Sequence, residues 1–371
     1  MRITDVRYYP LYPKDDYGGA IEKGENFNTL IELEADNGLK GYGSTYTTLA
    51  ITAAAMRLIS PTLIRQDDIS PARISELLHQ QNFWLGRGGS VTHVISGVDI
   101  ALWDLFGKHL GTSVSILTGG RYRNKVRPYA SLSFDDDEYT LETKIRMAIE
   151  KGFVGIKLGW GSFGRLDLKN DENLVSECRR IMGDKIALMV DAGGSDTFYG
   201  VTYKRALETS KMLHQYNVLW YEEALRADDI KGYIKLREHS PVKISACEVL
   251  TRRQTFIPWI ELGAVDIIQP DATKVGGLTE ALRIAWNAYD HGIEWVGHGW
   301  NTAFGLAADL HLSASLPNSD WVEYITPSPL MDKITFQPFV IKDGYLDIPD
   351  TPGLGIEPDM EKVKYYSTPG E

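Results

Sequence analysis

The sequence predicts an α/β fold: a (β/α)8 barrel carrying an α+β module built from the N-terminal region and the C-terminal tail. Three observations lead there. Eight short β-rich runs recur after residue 125 at intervals of roughly 20–30 residues, the size of one βα unit, and each of the first seven precedes a helical pattern. The first 125 residues read instead as alternating strands followed by helices. The tail, residues 339–371, alternates again around Lys342-Asp343-Gly344 and is expected to return to the first module.

In the N-terminal module, residues 2–10 and 29–34 alternate apolar and polar side chains, and Asp36-Asn37-Gly38 joins the second run to residues 39–44. Asn-Gly between alternating runs is a strong hairpin signal. Helical spacing follows over residues 50–64, 71–80 and 91–110, which makes an antiparallel sheet with helices packed on it. In the barrel, residues 126–338, strands are expected over 126–134, 155–160, 186–191, 218–223, 244–248, 265–271, 293–298 and 321–325. A doubly wound sheet is the structural rival. A nucleotide-binding version would need GxGxxG after its first strand, and none follows the first strand of any unit.

Composition narrows the classes of function. The chain has 371 residues, 43% apolar and 24% charged, which suits a protein with a sizeable core. With 39 basic against 50 acidic residues the net charge is −11, and no phosphate-tracking surface for nucleic acid is expected. Two cysteines, Cys178 and Cys247, are too few for a disulfide framework. No apolar run approaches the ~20 residues of a membrane span, and the N-terminus lacks a secretory h-region. A soluble, cytoplasmic protein acting on a small molecule is expected.

Catalysis in such barrels sits where the C-terminal strand ends converge. Here successive strands end in Lys157, Asp191, Glu222, Glu248, Asp271, His298 and Glu323. One rim carboxylate is commonplace, but seven consecutive ionisable ends are not. Asp191, Glu222 and Glu248 come from three adjacent strands, and three converging carboxylates need a cation between them. Hard oxygen ligands favour Mg2+. Asp271 ends the strand beside His298 and can orient its imidazole as an acid–base dyad. Glu323, if protonated, can donate to a developing enolate oxygen. Cys247 alternates away from the mouth and reads as a buried thiol.

At this point the chain resembles the enolase superfamily, in its mandelate racemase subgroup. The similarity covers nearly the whole length. It is carried by Val98-Asp99-Ile100-Ala101-Leu102-Trp103-Asp104 with Gly107-Lys108, Tyr221-Glu222-Glu223, Pro270-Asp271 with Gly276-Gly277, and Pro352-Gly353-Leu354-Gly355-Ile356. The resemblance implies a modified TIM-type barrel, an essential Mg2+ held by Asp191, Glu222 and Glu248, and removal of a proton α to a carboxylate. It implies Lys157 as the second lysine of a strand-two Lys-x-Lys motif, Asp271 with His298 as the dyad, and Glu323 as the electrophilic acid. Two positions depart from the pattern: Gly155 replaces the first lysine, and Ala224 replaces the proline of Glu-Glu-Pro. Without a neighbouring cation Lys157 is expected to stay protonated, which disfavours a two-base racemase. Lys274 lies where the muconate-lactonizing subgroup places a lysine base; beside a dyad it reads as a bystander or a cation for substrate.

The expected reaction is dehydration of a sugar acid to a 2-keto-3-deoxy acid, with His298 as acid–base and Lys157 secondary. A racemase or epimerase, a cycloisomerase of a lactone, and a non-catalytic barrel are the alternatives. Substrate contacts are expected from the N-terminal module and the mouth: Tyr46, Arg87 and Trp300, with Tyr17-Gly18-Gly19, Asn26, Thr47 and the 84–88 segment as further candidates. Arg87 reads equally as a surface cation or a carboxylate clamp. A homo-oligomer is expected, since assembly buries exposed apolar surface on such barrels.

Overall fold

A computed structural model describes residues 1–14, 26–134, 138–196 and 201–368. The N-terminal module is a three-stranded antiparallel sheet in the order β1 (Ile3–Leu11), β2 (Asn28–Ala35), β3 (Lys40–Tyr46). The hairpin joining β2 to β3 is a turn closed by Gly38 N–H on the Ala35 carbonyl, with Gly38 at φ 80°, the left-handed position that favours glycine. Three helices cover the sheet: α1 (Leu49–Ile64), α2 (Pro71–Gln81) and α3 (Ser90–Leu110). Pro71 opens α2 with its fixed φ, and Gly111 closes α3 in the left-handed conformation. Val94, Ile95, Val98, Ala101, Leu102 and Leu105 of α3 recur at helical spacing and bury against Ile31 and Leu33 of β2.

After the short α4 (Val114–Leu117), the barrel alternates strand and helix. Its units are β4 (Lys125–Ser133) with α5 (Glu138–Glu150), β5 (Gly155–Gly159) with α6 (Leu168–Met182), β6 (Ala187–Asp191) with α7 (Tyr203–Gln215), and β7 (Val218–Glu222) with α8 (Ile230–His239). Then come β8 (Lys243–Ala246) with α9 (Arg253–Glu261), β9 (Ile267–Ile268) with α10 (Gly277–Asp290), β10 (Glu294–Trp295) with α11 (Ala303–Ser315), and β11 (Trp321–Ile325). The strands are parallel, in the order β11-β4-β5-β6-β7-β8-β9-β10, so the first barrel strand pairs with the last. Tyr129, Met189, Trp220, Ile267 and Val296 form a cluster of their own, side chains from several barrel strands packed together in the way barrel interiors are filled. Among the described residues, no helix is long and apolar enough to cross a membrane.

Three strands end before the functional residues that the sequence places on them. β8, β9 and β10 stop at Ala246, Ile268 and Trp295, short of Glu248, Asp271 and His298. The cause is local: Cys247 turns at φ 96°, and Pro270 cannot donate to a ladder. Parallel pairing persists as single hydrogen bonds, Gln269 N to Ala246 O at 3.0 Å and His298 N to Pro270 O at 3.2 Å, and these carry the ionisable residues past the strand ends.

The tail makes contacts with both the barrel and the first module. After α12 (Pro329–Asp332), β12 (Leu346–Asp347) pairs antiparallel with β4, and α13 (Met360–Tyr366) reaches β1 through Tyr12 N to Tyr366 O at 2.8 Å. Between them Leu354 N–H donates to the buried Asp104 carboxylate at 2.7 Å, and Lys108 bridges Asp104 (2.9 Å) and Glu357 (2.6 Å). Gly353 sits at φ 74°, and a Cβ there would collide with Asp104 Oδ1. Gly353→Ala is therefore expected to lower the urea midpoint by an amount equal to about 2 kcal/mol or more, from backbone strain and overpacking together. Lys362→Ala, on the exposed side of α13, is expected to stay within about 0.5 kcal/mol.

Candidate active site

The register of the parallel strands assembles the acidic cluster. Asp191 at the end of β6 pairs with Glu222 at the end of β7, and Lys157 on β5 lies one strand away. Alternation turns Trp220 and Glu222 to one face, and Trp220 Nε1 and Gln269 Nε2 both donate to Glu222 Oε2, at 3.0 and 2.7 Å. Lys157 Nζ donates to Glu222 Oε1, so this carboxylate is fixed from three sides. Asp191 Oδ1 accepts from Gly193 N at 2.7 Å. Ligand atoms of Asp191, Glu222 and Glu248 lie within 4.8 Å of one another, and all three residues are buried.

These residues fit a divalent cation. Asp191 Oδ2 and Glu248 Oε2 are buried and accept no hydrogen bond, an expensive state for a carboxylate oxygen unless a cation uses it. Burial first, then the mutual repulsion of the neighbouring acids, drives both carboxyls well above their ordinary range. The donor set is all oxygen, which suits Mg2+.

Lys157 is 1% exposed and sits among carboxylates, 2.9 Å from Glu323 and 3.6 Å from Asp191 as well as bonded to Glu222. Burial works against its charge, but Glu222, Glu323 and Asp191 outweigh it and hold the ammonium protonated. Gly155 has its own reason: a Cβ there would lie 2.6 Å from the Trp321 ring, which Arg127 covers at 4.7 Å. The ring stands over the position where the related motif carries its first lysine.

The structure brings His298 and Asp271 together. His298 Nδ1 and Asp271 Oδ2 are 2.7 Å apart, with Nε2 turned towards Glu248 Oε2 at 3.5 Å. Thr273 donates to Asp271 Oδ1 through both N–H (2.7 Å) and hydroxyl (2.6 Å). Burial alone would raise the Asp271 carboxyl; the His298 hydrogen bond and the Lys274 charge pull it down to about 2. An ionised Asp271 accepts from Nδ1–H and leaves Nε2 free to take a proton.

Glu323 corrects an expectation. It is ionised, not protonated: against its burial, the Lys157 charge brings it down to about 2, and its Oε2 accepts from Gly299 N at 2.7 Å. Of the expected substrate residues, Trp300 is buried at the mouth, bonded through Nε1 to Ser131 at 3.2 Å and 5.0 Å from the Trp160 ring. The Tyr46 ring faces Lys274. Arg87 is exposed and stacks on Phe83 at 5.7 Å, outside the buried cluster. Asn26 spends its side chain on Leu11 O, Asn28 O and Leu49 N, a structural role. Thr47 is buried, and Tyr17-Gly18-Gly19 lies outside the described residues. Cys247 is buried, and that burial raises its thiol. Trp220 and Gln269 were not anticipated, although period-two spacing from Glu222 and Asp271 marks both as facing the barrel interior.

An acidic triad at the strand ends, with a lysine on one side and a His–Asp pair on the other, is an arrangement able to ionise a carbon acid. Comparison with known proteins agrees. Residues 140–363 match the enolase C-terminal domain-like family, and residues 23–119 match the mandelate racemase / muconate lactonizing enzyme N-terminal domain. The chain belongs to the mandelate racemase / muconate lactonizing enzyme family of the enolase superfamily. It is 30% identical to the D-galactarolactone cycloisomerase of Agrobacterium fabrum, over 100% of both chains. It is also 30% identical to the arabinonate dehydratase of Saccharolobus solfataricus, over 95% of this chain and 96% of that one. A racemase from Streptomyces coelicolor, solved with bound magnesium, superposes with TM-score 0.86 at 28% identity, covering 98% of this chain and 99% of that one.

The triad makes a prediction about stability. Carboxyls raised by folding bind protons more tightly in the native than in the unfolded state. Metal-free stability should therefore fall as pH rises above about 4, where the unfolded carboxyls ionise. Mg2+ should raise the melting temperature at pH 7 and flatten that decline. Glu248→Gln should leave metal-free melting unchanged or higher while removing most of the Mg2+ increment, read by calorimetry.

Proposed function

We propose that the protein is a Mg2+-dependent sugar-acid dehydratase, a lyase that removes the α-proton of a sugar acid and expels the β-hydroxyl to give a 2-keto-3-deoxy acid. One observation carries this reading: of the two candidate bases, only His298 is free to act as one. Its Nδ1 is held by Asp271, whereas Lys157 is ion-paired to Glu222, Glu323 and Asp191. A racemase needs a base on each face; elimination needs one.

Asp191, Glu222 and Glu248 would hold Mg2+, which when bound supplies positive charge against the substrate carboxylate as the α-carbon loses its proton. Lys157 adds a fixed ammonium on the Glu323 side of the mouth and stays protonated throughout. His298 Nε2 takes the α-proton, and the Asp271 carboxylate stabilises the resulting imidazolium. The same imidazolium returns the proton to the departing hydroxyl, so water leaves and the enol product tautomerises to the 2-keto acid. Trp300 and the buried walls of the mouth exclude water from the reacting carbon. The named dehydratase relatives support this substrate class, among them D-gluconate dehydratase of Thermoproteus tenax, 27% identical over 93% of this chain.

The full-length similarity to a lactone cycloisomerase favours one second reading, in which the same base drives out a ring oxygen instead of hydroxide. Product mass separates the two, since dehydration loses one water and cycloisomerisation loses nothing.

The reading is tested by screening aldonic and aldaric acids with Mg2+ for 2-keto-acid formation. On the substrate so found, His298→Asn should lower kcat by about 10³-fold or more, and Asp271→Asn by about 10²-fold, the usual worth of a positioned acid–base group. Near-wild-type dehydration by His298→Asn would reverse the assignment in favour of Lys157.

A further inference from the structure

Lys274 has no task in that mechanism, yet it is 7% exposed and reaches into the same site. Its Nζ lies 3.7 Å from Asp271 Oδ2 and 4.5 Å from the centre of the Tyr46 ring. Neither contact is a hydrogen bond. Asp271 has little left to offer, since its Oδ1 accepts twice from Thr273 and its Oδ2 accepts from His298. Among the described residues, none accepts a hydrogen bond from this ammonium. His93, whose Nδ1 lies 2.9 Å from Tyr46 O, is held neutral by burial and by Lys274 itself, with its pKa lowered to about 4, and brings no counter-charge.

The charges of Asp271 and Glu248 keep this ammonium protonated against its burial but take no hydrogen bond from it, so its N–H donors remain available for charge-assisted hydrogen bonds to a bound anion. Where that anion would belong follows from the layout. The reacting carboxylate must face the triad and Lys157, and its α-carbon must face His298 Nε2. Lys274 stands beside Asp271, where Tyr46 N meets Thr273 O at 3.4 Å and the N-terminal module closes on the barrel.

We propose that Lys274, roofed by Tyr46, receives a second carboxylate at the far end of the substrate, so that the enzyme acts on dicarboxylic sugar acids or their monolactones in preference to monocarboxylic ones. This rests on the sugar-acid reading above and deepens it. Lys274 is then a specificity-determining residue and not a base.

Calorimetric binding to the non-turning-over His298→Asn protein with Mg2+ tests it. The probes are matched pairs differing only at the terminal carbon: galactarate against galactonate, glucarate against gluconate, mannarate against mannonate. The tightest diacid should bind better than its monoacid partner. Adding Lys274→Met should weaken that diacid by about ten- to hundredfold and change the monoacid little. Lys274→Arg should restore part of the difference, and the Mg2+ increment in melting temperature should persist, which shows an intact fold and metal site. Equal weakening of both acids, no weakening of the diacid, or a parent preference for monoacids would each overturn the assignment. A diacid preference that depends on Lys274, without 2-keto product from any acid, would uphold this inference and refute dehydration alone.

Discussion

Three carboxylates buried side by side at the ends of adjacent strands are the constraint around which this protein is arranged. Asp191, Glu222 and Glu248 cannot all be ionised in so small and dry a space without positive charge among them. Their neighbours are organised accordingly. Glu222 is tethered by Trp220, Gln269 and Lys157, which fixes one ligand while Asp191 and Glu248 each keep an oxygen unbonded. Unused lone pairs beside an immobilised carboxylate are what a metal needs, and they are costly for anything else.

Charge of the opposite sign is distributed with equal economy. Lys157 and Glu323 neutralise each other on one flank, and His298 and Asp271 form a hydrogen-bonded pair on the other. The two flanks differ in kind. On the first, a cation is saturated by carboxylates and serves only as charge. On the second, the imidazole is oriented through one nitrogen and chemically available through the other. That asymmetry separates one-base elimination from two-base racemisation, and it arises from the surroundings of two side chains that look interchangeable in a list of ionisable groups.

Much of this was legible in the sequence, because the barrel writes itself as a repeat. Period-two runs followed by helical spacing located the strands and helices, and the ionisable residues at the run ends located Asp191, Glu222 and Glu323. Glu248, Asp271 and His298 were found by the same rule, although their strands stop short of them; single backbone hydrogen bonds continue the pairing where the regular ladder has ended. Properties that depend on neighbours distant in sequence were not legible. Glu323 reads as a candidate acid until Lys157 is seen 2.9 Å away. Gly155 reads as a missing lysine until the Trp321 ring is found over it. Arg87 and Asn26 have the right chemistry for a ligand, but one is exposed on a loop and the other is used up by backbone groups. The pairing of Lys274 with Tyr46 joins residues from the two parts of the chain and has no local signature.

The central claim is that a single base, His298, works on one face of a carbon acid held against the acidic triad. It is tested most directly with substrates that cannot eliminate. Two 3-deoxy sugar acids, epimeric at the α-carbon, are incubated with enzyme and Mg2+ in deuterium oxide, and loss of the α-proton signal is followed by NMR. The account predicts exchange in one epimer only, with retention of configuration and no interconversion. Exchange in both epimers, or conversion of one into the other, would show a second working base and contradict it.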